Sequence, residues 1–259
     1  MRMDLDKQLN GSVQKAFLLL EAFTLDKPEW GVSELARSLG ANKSTIYRLL
    51  ATLEKLGVLQ QNRRSEKYRL GLKLFELGHR VSIHQAVVHC THPVLEEVAR
   101  AIAETVHLAI LEGTHIRYLD KVESPQGLKI STEIGSLRPA HCTGLGKMLL
   151  ACADSEQQQA VLDATPLFAQ TANTIVSAAA LRRELAEIRE RSFALDREEY
   201  EIGLICVAVP IFNQQGDLVA GLSASGPANR FREEALPHYV SILKRGAEKI
   251  REGIGNFQL

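Results

Sequence analysis

Residues 32–56 of the chain have the sequence VSELARSLGANKSTIYRLLATLEKL, and this stretch decides the fold of the first part of the chain. Apolar residues recur there every three or four positions, first before Gly40 and again after Asn42, which is the spacing of one helix face. Gly40 can take the positive φ that ends a helix. Ser33 and Asn42 are suited to cap the two helices. The stretch therefore predicts two helices held around a tight turn.

The second of these helices is predicted to carry polar side chains on the face opposite its apolar stripe. Its first turns hold hydroxyls and cations in the position where a recognition helix meets base edges and phosphates. The alternative is an ordinary helical hairpin whose polar face is only solvated. The candidate DNA-contacting residues of this helix are Lys43, Ser44, Thr45, Tyr47 and Arg48.

A compact hairpin after the two helices favours the DNA-binding interpretation. Residues 58–61 and 67–70 are predicted strands around a polar turn. Arg63 and Arg64 lie in that turn. A basic two-stranded tip beside a recognition helix is typical of a wing, which contacts the sugar-phosphate backbone.

A third helix is predicted ahead of the pair, because another apolar stripe begins there after Ser12, a suitable cap. Three helices and a hairpin make an N-terminal all-α winged helix-turn-helix. We assign residues 1–72 to this domain. It is a binding module without visible catalytic groups.

The net charge of zero conceals an uneven distribution. Residues 1–80 contain 14 Lys and Arg against 9 Asp and Glu, whereas the remainder contains 17 basic and 22 acidic residues. A basic N-terminal part attracts phosphate, and an acidic C-terminal part is repelled by it. At 259 residues, 45% of them hydrophobic, the chain is long and apolar enough for about two globular domains.

Neither membrane association nor a disulfide framework is expected. The first ten residues contain no apolar run, and no stretch of 18 apolar residues occurs in the sequence, so neither a signal peptide nor a membrane span is predicted. Cys90, Cys142, Cys152 and Cys206 are scattered without CxxC spacing. A cytoplasmic protein without a cofactor is therefore expected.

The rest of the chain is predicted to contain a linker helix over residues 73–90, closed by Pro93, and an α+β domain with an antiparallel sheet over residues 91–259. The predicted strands are 106–112, 116–122, 129–134, 205–212 and 218–225. The predicted helices are 143–153, 155–164 with Ser155 as its cap, 177–191, and a last one through 239–250.

Four segments carry a family resemblance. They are NKSTIYRLLATLEKLG at 42–57, SEKYRLGLKLFELG at 65–78, HCTGLGKMLLA at 141–151 and LDREEYEIGLICVAVPIFNQQGDLVAGLSASGP at 195–227. Together they resemble the IclR family of bacterial transcriptional regulators, in the family's order and over nearly the whole chain.

The resemblance implies an N-terminal winged helix-turn-helix, a linker helix and a C-terminal effector domain related to GAF domains. It also implies a homodimer or homotetramer on paired half-sites of double-stranded operator DNA. Residues 65–78 and 219–231 are most similar to the branch that controls sugar-acid and pectin-breakdown genes. The expected effector is then a small carboxylate such as a sugar acid or 2-keto acid, and the expected mechanism is repression that the effector relieves.

The predicted helix at residues 143–153 begins with small residues, and unpaired amides at a helix start can bind a carboxylate. Taken alone, a short Gly-x-Gly is a weak signal, because most such sequences are turns or close helix contacts. The resemblance adds an aspartate, a cysteine and two serines to the same pocket. Ser223 and Ser225 are two apart in a predicted strand, so both face one side. The candidate effector-binding residues are Gly144, Leu145, Gly146, Asp196, Cys206, Ser223 and Ser225.

These residues also fit other functions. Cys206, Asp196 and either His107 or His141 have the residue types of a hydrolase, but Cys206 lies in an apolar strand without a nucleophile-elbow pattern, so no enzyme is expected. The two histidines are also extra candidates for ligand contact. Cysteine, histidine and aspartate can bind zinc, so a DNA-binding redox or metal sensor that uses Cys206 and Cys142 is the alternative function. No metal site is predicted, because local ligand spacing is absent.

Overall fold

The computed structural model describes residues 10–126, 130, 132–163, 167–231 and 233–255, without the side chains of residues 82–87 and 233. The described residues divide between Ser82 and Ile83 into two compact units. Each unit has its own apolar core, as expected of separate domains.

The first unit is a helix-turn-helix followed by a two-stranded hairpin and a short helix, which confirms the predicted order. The strands pair antiparallel, with Leu59 opposite Leu70. Gly40 has a φ of +62°, as expected of the turn. Asn42 stands at the start of the second helix of the pair, although its side chain makes no capping hydrogen bond. The elements are α1 (Gly11–Leu20), α2 (Val32–Ser38), α3 (Lys43–Lys55), β1 (Leu59–Gln61), β2 (Tyr68–Leu70) and α4 (Leu72–His79).

Two of the predicted caps are wrong by two residues. Asn10 caps α1 in place of Ser12, because its side-chain oxygen accepts from two first-turn amides at 3.1 and 3.3 Å. Gly31 precedes α2 in place of Ser33. Its amide donates to the carboxylate of Glu34 at 2.9 Å, and this bond lowers the pKa of Glu34. A side chain three residues inside the helix thus satisfies the amide that precedes it.

The hairpin is fastened to the helices through Trp30. The backbone of Trp30 exchanges hydrogen bonds of 2.9 and 2.8 Å with that of Tyr68, and its indole N–H donates to the carbonyl of Ala22 at 2.8 Å. Since Tyr68 is itself buried, the hairpin shares one core with all three helices. That core contains Leu19, Phe23, Leu35, Leu39, Ile46, Leu50, Leu53, Leu59 and Tyr68.

The second unit contains a six-stranded antiparallel sheet in the order β5-β4-β3-β8-β7-β6. The antiparallel pairing agrees with the predicted α+β class, and helices cover both faces of the sheet. Its elements are α5 (Ser82–Ile102), β3 (Thr105–Glu112), β4 (His115–Val122), β5 (Leu137–Pro139), α6 (Gly144–Cys152), α7 (Ser155–Asp163), α8 (Ala178–Arg191), β6 (Ala194–Arg197), β7 (Leu204–Phe212), β8 (Leu218–Pro227) and α9 (Leu236–Ile254).

The predicted single linker helix is two helices. α4 ends with hydrogen bonds from the amides of Arg80 and Val81 to carbonyls three residues earlier, and α5 then runs through Pro93. A proline inside a helix removes one hydrogen bond, and packing offsets that loss because Leu95 and Val98 are buried against the sheet. The domain limits at residues 72 and 90 stay predictions, while the compact units meet at residues 82 and 83.

Three smaller predictions differ from the structure of the second unit. The strand expected at 129–134 lies partly outside the described residues, and its described part is not a strand; the edge strand is β5. The short strand β6 was not predicted. Asp154, rather than Ser155, caps α7, because its carboxylate accepts from the amide of Gln157 at 2.8 Å.

The alternation of side chains along each strand gives the sheet two different faces. Val106 and Leu108 of β3 and Leu222 of β8 join the core under α5 and α9. Residues between them, such as His107 and Ser223, point to the opposite face, which α6, α7 and α8 cover. The predicted effector residues of the strands lie on this second face.

Among the described residues, no helix has both the length and the apolar character required to cross a membrane.

We expect Gly71→Ala to destabilise the first unit. A Cβ at Gly71 would lie 2.3 Å from the carbonyl oxygen of Gly57, and the Gly71 amide donates to Val58 at 2.8 Å, so the backbone cannot move away freely. Such overpacking costs about 1–3 kcal/mol. Trp30, the single tryptophan of the chain, reports unfolding of this unit by fluorescence in a urea titration.

Gly78→Ala is the matched control. A Cβ at Gly78 would meet no atom within 4 Å in α4, and glycine in a helix costs roughly 0.5–1 kcal/mol relative to alanine. The Trp30 transition is therefore expected to move to higher urea in this variant. Equal midpoints for the two variants would contradict the proposed close contact.

Candidate functional site

The polar face of α3 is accessible. Ile46 and Leu50 are buried in the core, whereas Tyr47 is 58% exposed and the side chains of Lys43, Ser44 and Arg48 are exposed too. Thr45 is half-buried. The first turns of α3 therefore present hydroxyl, phenol and cationic groups outward, as the sequence predicts.

The tip of the hairpin has an ordered backbone. The side chain of Asn62 accepts from the amides of Arg64 and Ser65 at 3.0 and 3.4 Å. Glu66 takes the left-handed φ of +55° that closes the turn. Arg63 and Arg64 are both exposed, so their charges are available beside α3.

Polar side chains of neighbouring strands form a row on the second face of the sheet. Asp196 of β6 pairs with Cys206 of β7, and Cys206 pairs with Ser225 of β8. The next row on the same face joins Ser223 of β8 to His107 of β3. The predicted strand residues are therefore brought together, with His107 beside them.

The start of α6 lies directly above this row. A Cβ at Gly144 would lie 3.3 Å from the Cβ of Cys206 and 3.6 Å from the amide nitrogen of Asp196. The amides of Gly144 and Leu145 make no hydrogen bond within the described part of the chain. They are the groups that can meet a ligand here.

One detail of the predicted glycine segment is wrong. The amide of Gly146 is not free, because it donates to the hydroxyl of Thr143, the cap of α6, at 3.1 Å. Gly146 is needed instead for packing, since a Cβ there would lie 2.2 Å from the carbonyl oxygen of Ala140. The side chain of Leu145 packs onto Gly221 in the apolar core, so only its backbone faces the row.

Asp196 is a buried carboxyl group. It is 1% exposed, and its Oδ1 accepts from the amide of Glu199 at 2.7 Å. Burial raises its pKa to about 7, against the lowering effect of this hydrogen bond. A carboxyl with such a pKa is protonated in a substantial fraction of molecules at neutral pH.

The nearby thiols are protonated. Burial raises the pKa of Cys142 to about 12 and that of Cys206 well above its usual value. Since the thiolate is the reactive form, neither is poised for redox chemistry. Nor do the described residues place three His, Cys, Asp or Glu side chains where they could hold a metal ion. The redox or metal sensor finds no support.

The two histidine candidates have different surroundings. His141 places its Nε2 3.1 Å from the carbonyl oxygen of Phe168, which ties it to the loop after α7. His107 is 2% exposed, and neither of its ring nitrogens has a hydrogen-bond partner among the described residues. Burial and the charge of Lys121 lower the pKa of His107 to about 3, so its imidazole is neutral.

A buried ion cluster that the sequence did not predict lies beside the row. Lys147 of α6 is 1% exposed and contacts the carboxylate of Glu199, while its Nζ lies 3.6 Å from Glu184 of α8. Glu184 also pairs with Arg191 at 2.8 Å. The available signal was Lys147 itself, a charged residue within the apolar run GLGKMLLA.

Hydroxyl groups fasten the loop before α8 to the segment after β6. Thr171 donates to the carbonyl of Glu198 at 2.7 Å, and Thr174 donates to that of Glu199 at 2.6 Å. The Thr174 oxygen also accepts from the amides of Gln170 and Thr171. The segment that carries Glu199 is therefore held from two sides.

Comparison with known proteins connects both units to one family. The family model described as bacterial transcriptional regulator IclR C-terminal matches residues 79–252, and the IclR helix-turn-helix domain matches residues 12–63. The chain is 39% identical over 254 residues to the HTH-type transcriptional regulator KdgR of Escherichia coli (strain K12), which covers 97% of this chain and 96% of that protein.

Two further relatives support the same assignment. The transcriptional repressor IclR of Escherichia coli (strain K12) is 28% identical over 249 residues, covering 95% of this chain and 91% of that protein. The crystal structure of an IclR homolog complexed with 4-hydroxybenzoate from Microbacterium hydrocarbonoxydans matches with a TM-score of 0.83 and 27% identity, over 94% of this chain and 98% of that one.

The family models span both units, and the relatives that match along nearly the whole chain are regulators rather than enzymes. The helix-turn-helix with its hairpin and the antiparallel sheet with a polar second face fit this assignment. The chain belongs to the IclR family and is a DNA-binding transcriptional regulator.

Proposed function

We propose that this regulator reads operator DNA with α3 and the hairpin of the first unit, and that a small carboxylic acid bound in the second unit controls it. One observation carries the effector proposal: Asp196, Cys206, Ser223 and Ser225 face the start of α6 from the sheet face on which α6 and α8 also pack apolar side chains. Pockets for small ligands combine an apolar wall with a few such polar groups.

A carboxylate fits these groups chemically. The amides of Gly144 and Leu145 are donors at a helix start, where the helix dipole favours negative charge. The hydroxyls of Ser223 and Ser225 add two further donors. A related regulator binds 4-hydroxybenzoate, an acid, which supports the class of ligand. We propose a sugar acid or 2-keto acid as the natural effector.

The raised pKa of Asp196 supports the same ligand. An ionised aspartate beside a bound carboxylate would repel it, whereas a protonated one can donate a hydrogen bond. The buried charges that face Asp196 are those of Glu199 and Lys147, which pair with each other. The carboxylate of a ligand can therefore bind beside Asp196 without repulsion from an unpaired carboxylate.

The proposed direction of control is repression that the acid relieves, in a bacterial cytoplasm where operator DNA lies. The acid can act only if it binds more tightly to the state that releases DNA. The repressor IclR of the same family supports this direction.

A homodimer or homotetramer is proposed as the working assembly. Apolar side chains of α1 and α4 stand in solvent in the isolated chain: Val13 and Phe17 are four residues apart on α1, and Phe75 of α4 is 73% exposed. Exposed apolar groups of this kind mark interaction surfaces. Paired subunits would place two α3 helices about 34 Å apart, or a multiple of that distance, on one face of DNA.

The first test concerns DNA recognition. Arg48→Ala is expected to weaken operator binding by roughly 1–3 kcal/mol and to relax specificity at one base pair, because a base contact is lost. Replacing Arg63 and Arg64 with alanine is expected to reduce affinity and its dependence on salt, with little change in sequence preference. Fluorescence anisotropy with labelled operator at two salt concentrations measures both effects.

Arg182→Ala is the control for this test, since it removes one positive charge from α8 of the second unit, where Arg182 donates to Gln159. It is expected to leave operator affinity unchanged. Equal losses for Arg48→Ala and Arg182→Ala would mean that net charge, rather than the α3 surface, governs binding.

The second test concerns the effector. The double variant Ser223→Ala, Ser225→Ala removes two hydroxyl partners, and a hydrogen bond to a charged group contributes roughly 1.5–3 kcal/mol. We expect a folded protein that binds operator as before but has lost most of its release by 2-keto or sugar acids. An effector titration of the DNA complex measures this release. A wild-type response would show that the acid binds elsewhere.

The third test concerns assembly. Wild-type chain at micromolar concentration is expected to be at least a dimer by light scattering. Phe17→Asp with Phe75→Asp places charges on both exposed helix faces and is expected to lower the mass by one step of assembly. Leu25→Asp, at another exposed apolar position between α1 and α2, is the control. A monomeric wild-type chain, with and without operator, contradicts the proposal.

A further inference from the structure

We propose that His107 recognises a hydroxyl group of the effector, so that the ligand is a hydroxylated acid rather than a simple short-chain acid. This inference rests on the proposed effector site and adds to it a second polar end. The carboxylate lies toward the start of α6, and the hydroxyl lies toward β3.

The position of His107 carries the inference. Its neighbours in sequence, Val106 and Leu108, belong to the core under α5 and α9, so His107 points to the other face, the one with the polar row. Across the strands it pairs with Ser223 on one side and Lys121 on the other. The ring of Tyr118 lies 5.1 Å from its ring, centroid to centroid.

The hydrogen-bonding state of His107 is unusual. Both ring nitrogens are buried, and neither meets a partner in the described part of the chain. An unmet buried polar group costs about 1–3 kcal/mol, and buried side chains are nearly always paired. Lys121, the partner of His107 on β4, is already engaged with Glu123 at 3.1 Å. The partner of such a side chain is a bound molecule, either an ordered water or a ligand group that displaces it.

The chemistry of the imidazole selects the partner. At neutral pH the ring is uncharged, since burial lowers its pKa to about 3, and it then offers one donor and one acceptor. A carboxylate can only accept, and an ammonium can only donate. A hydroxyl group does both, so neighbouring hydroxyls, or one hydroxyl and a carbonyl, can satisfy both nitrogens.

The spacing of the strands bears on the length of the ligand. β8 separates β7, which carries Cys206, from β3, which carries His107, and adjacent strands lie about 4.8 Å apart. A carboxylate beside Cys206 and a hydroxyl at His107 are therefore joined by a chain of several carbons or by an aromatic ring. Ser223 pairs directly with His107, so a carboxylate held at Ser223 needs fewer carbons to present a hydroxyl there.

The test compares acids that differ only in hydroxylation, with the full-length chain. The aromatic pair is benzoate and 4-hydroxybenzoate, and the aliphatic set is hexanoate, 6-hydroxyhexanoate and gluconate. Isothermal titration calorimetry gives the dissociation constant of each. Wild-type chain is expected to prefer the hydroxylated member of at least one set by about tenfold, which is about 1.4 kcal/mol. The set in which the preference appears shows whether the effector is aromatic or aliphatic.

His107→Leu is expected to abolish this preference and to leave the affinity for the unhydroxylated acid within about twofold of wild type. His107→Gln keeps a donor and an acceptor and is expected to retain part of the preference. Thermal unfolding without ligand checks folding. His107→Leu is expected to unfold at or above the wild-type temperature, because it removes an unmet polar group.

Thr91→Val is the matched control. The Thr91 hydroxyl is also buried and unpartnered in the described structure, but it lies on α5, which packs on the opposite face of the sheet. This variant is expected to keep the preference of the wild-type chain.

The outcomes distinguish a failure of the His107 assignment from a failure of the carboxylate site. If the acids bind but His107→Leu keeps the full preference, or wild type shows none, the assignment of His107 is wrong and the carboxylate site stands. If no acid of either set binds wild type, the carboxylate site is wrong and the inference falls with it.

Discussion

The geometry of the polar row and of the start of α6 depends on the buried ion pairs of Lys147 with Glu199 and Glu184. Removing an ion from water costs several kcal/mol, and losing one partner of a buried pair costs about 3–5 kcal/mol, so Glu199 and Glu184 must stay in place. Lys147 belongs to α6, Glu184 to α8, and Glu199 to the segment after β6. The cluster thereby fixes the start of α6 relative to Asp196 before any ligand arrives.

Much of the fold could be predicted from periodicity. The spacing of Leu35, Leu39, Ile46 and Leu50 predicts α2 and α3 because these residues lie on the buried face of each helix. The ends of helices were harder to predict, because several groups compete for the same backbone amides. The carboxylate of Glu34, for example, accepts from the amide of Gly31, so α2 begins earlier than Ser33 predicts. The continuous helix α5 through Pro93 follows from tertiary packing, which no local pattern contains.

Only part of the candidate site could be predicted from the sequence. Spacing places Ser223 and Ser225 on one face, but nothing in the sequence sets them beside Asp196 and Cys206, because strand order and register are tertiary properties. Of the three amides expected to be free at the start of α6, that of Gly146 is bonded, because Thr143 caps the helix and accepts its hydrogen bond. A buried lysine and an unpaired histidine become meaningful only when burial is known.

Along β8, Leu222 and Ala224 are core residues, whereas Ser223 and Ser225 face the polar row. The residues that keep this strand in the sheet are therefore different from those that give the row its chemistry. Point mutations at 223 and 225 can alter that chemistry while the packing of 222 and 224 is inherited unchanged. Descendants of one ancestral regulator can thus diverge in the signals to which they respond without a new fold having to evolve.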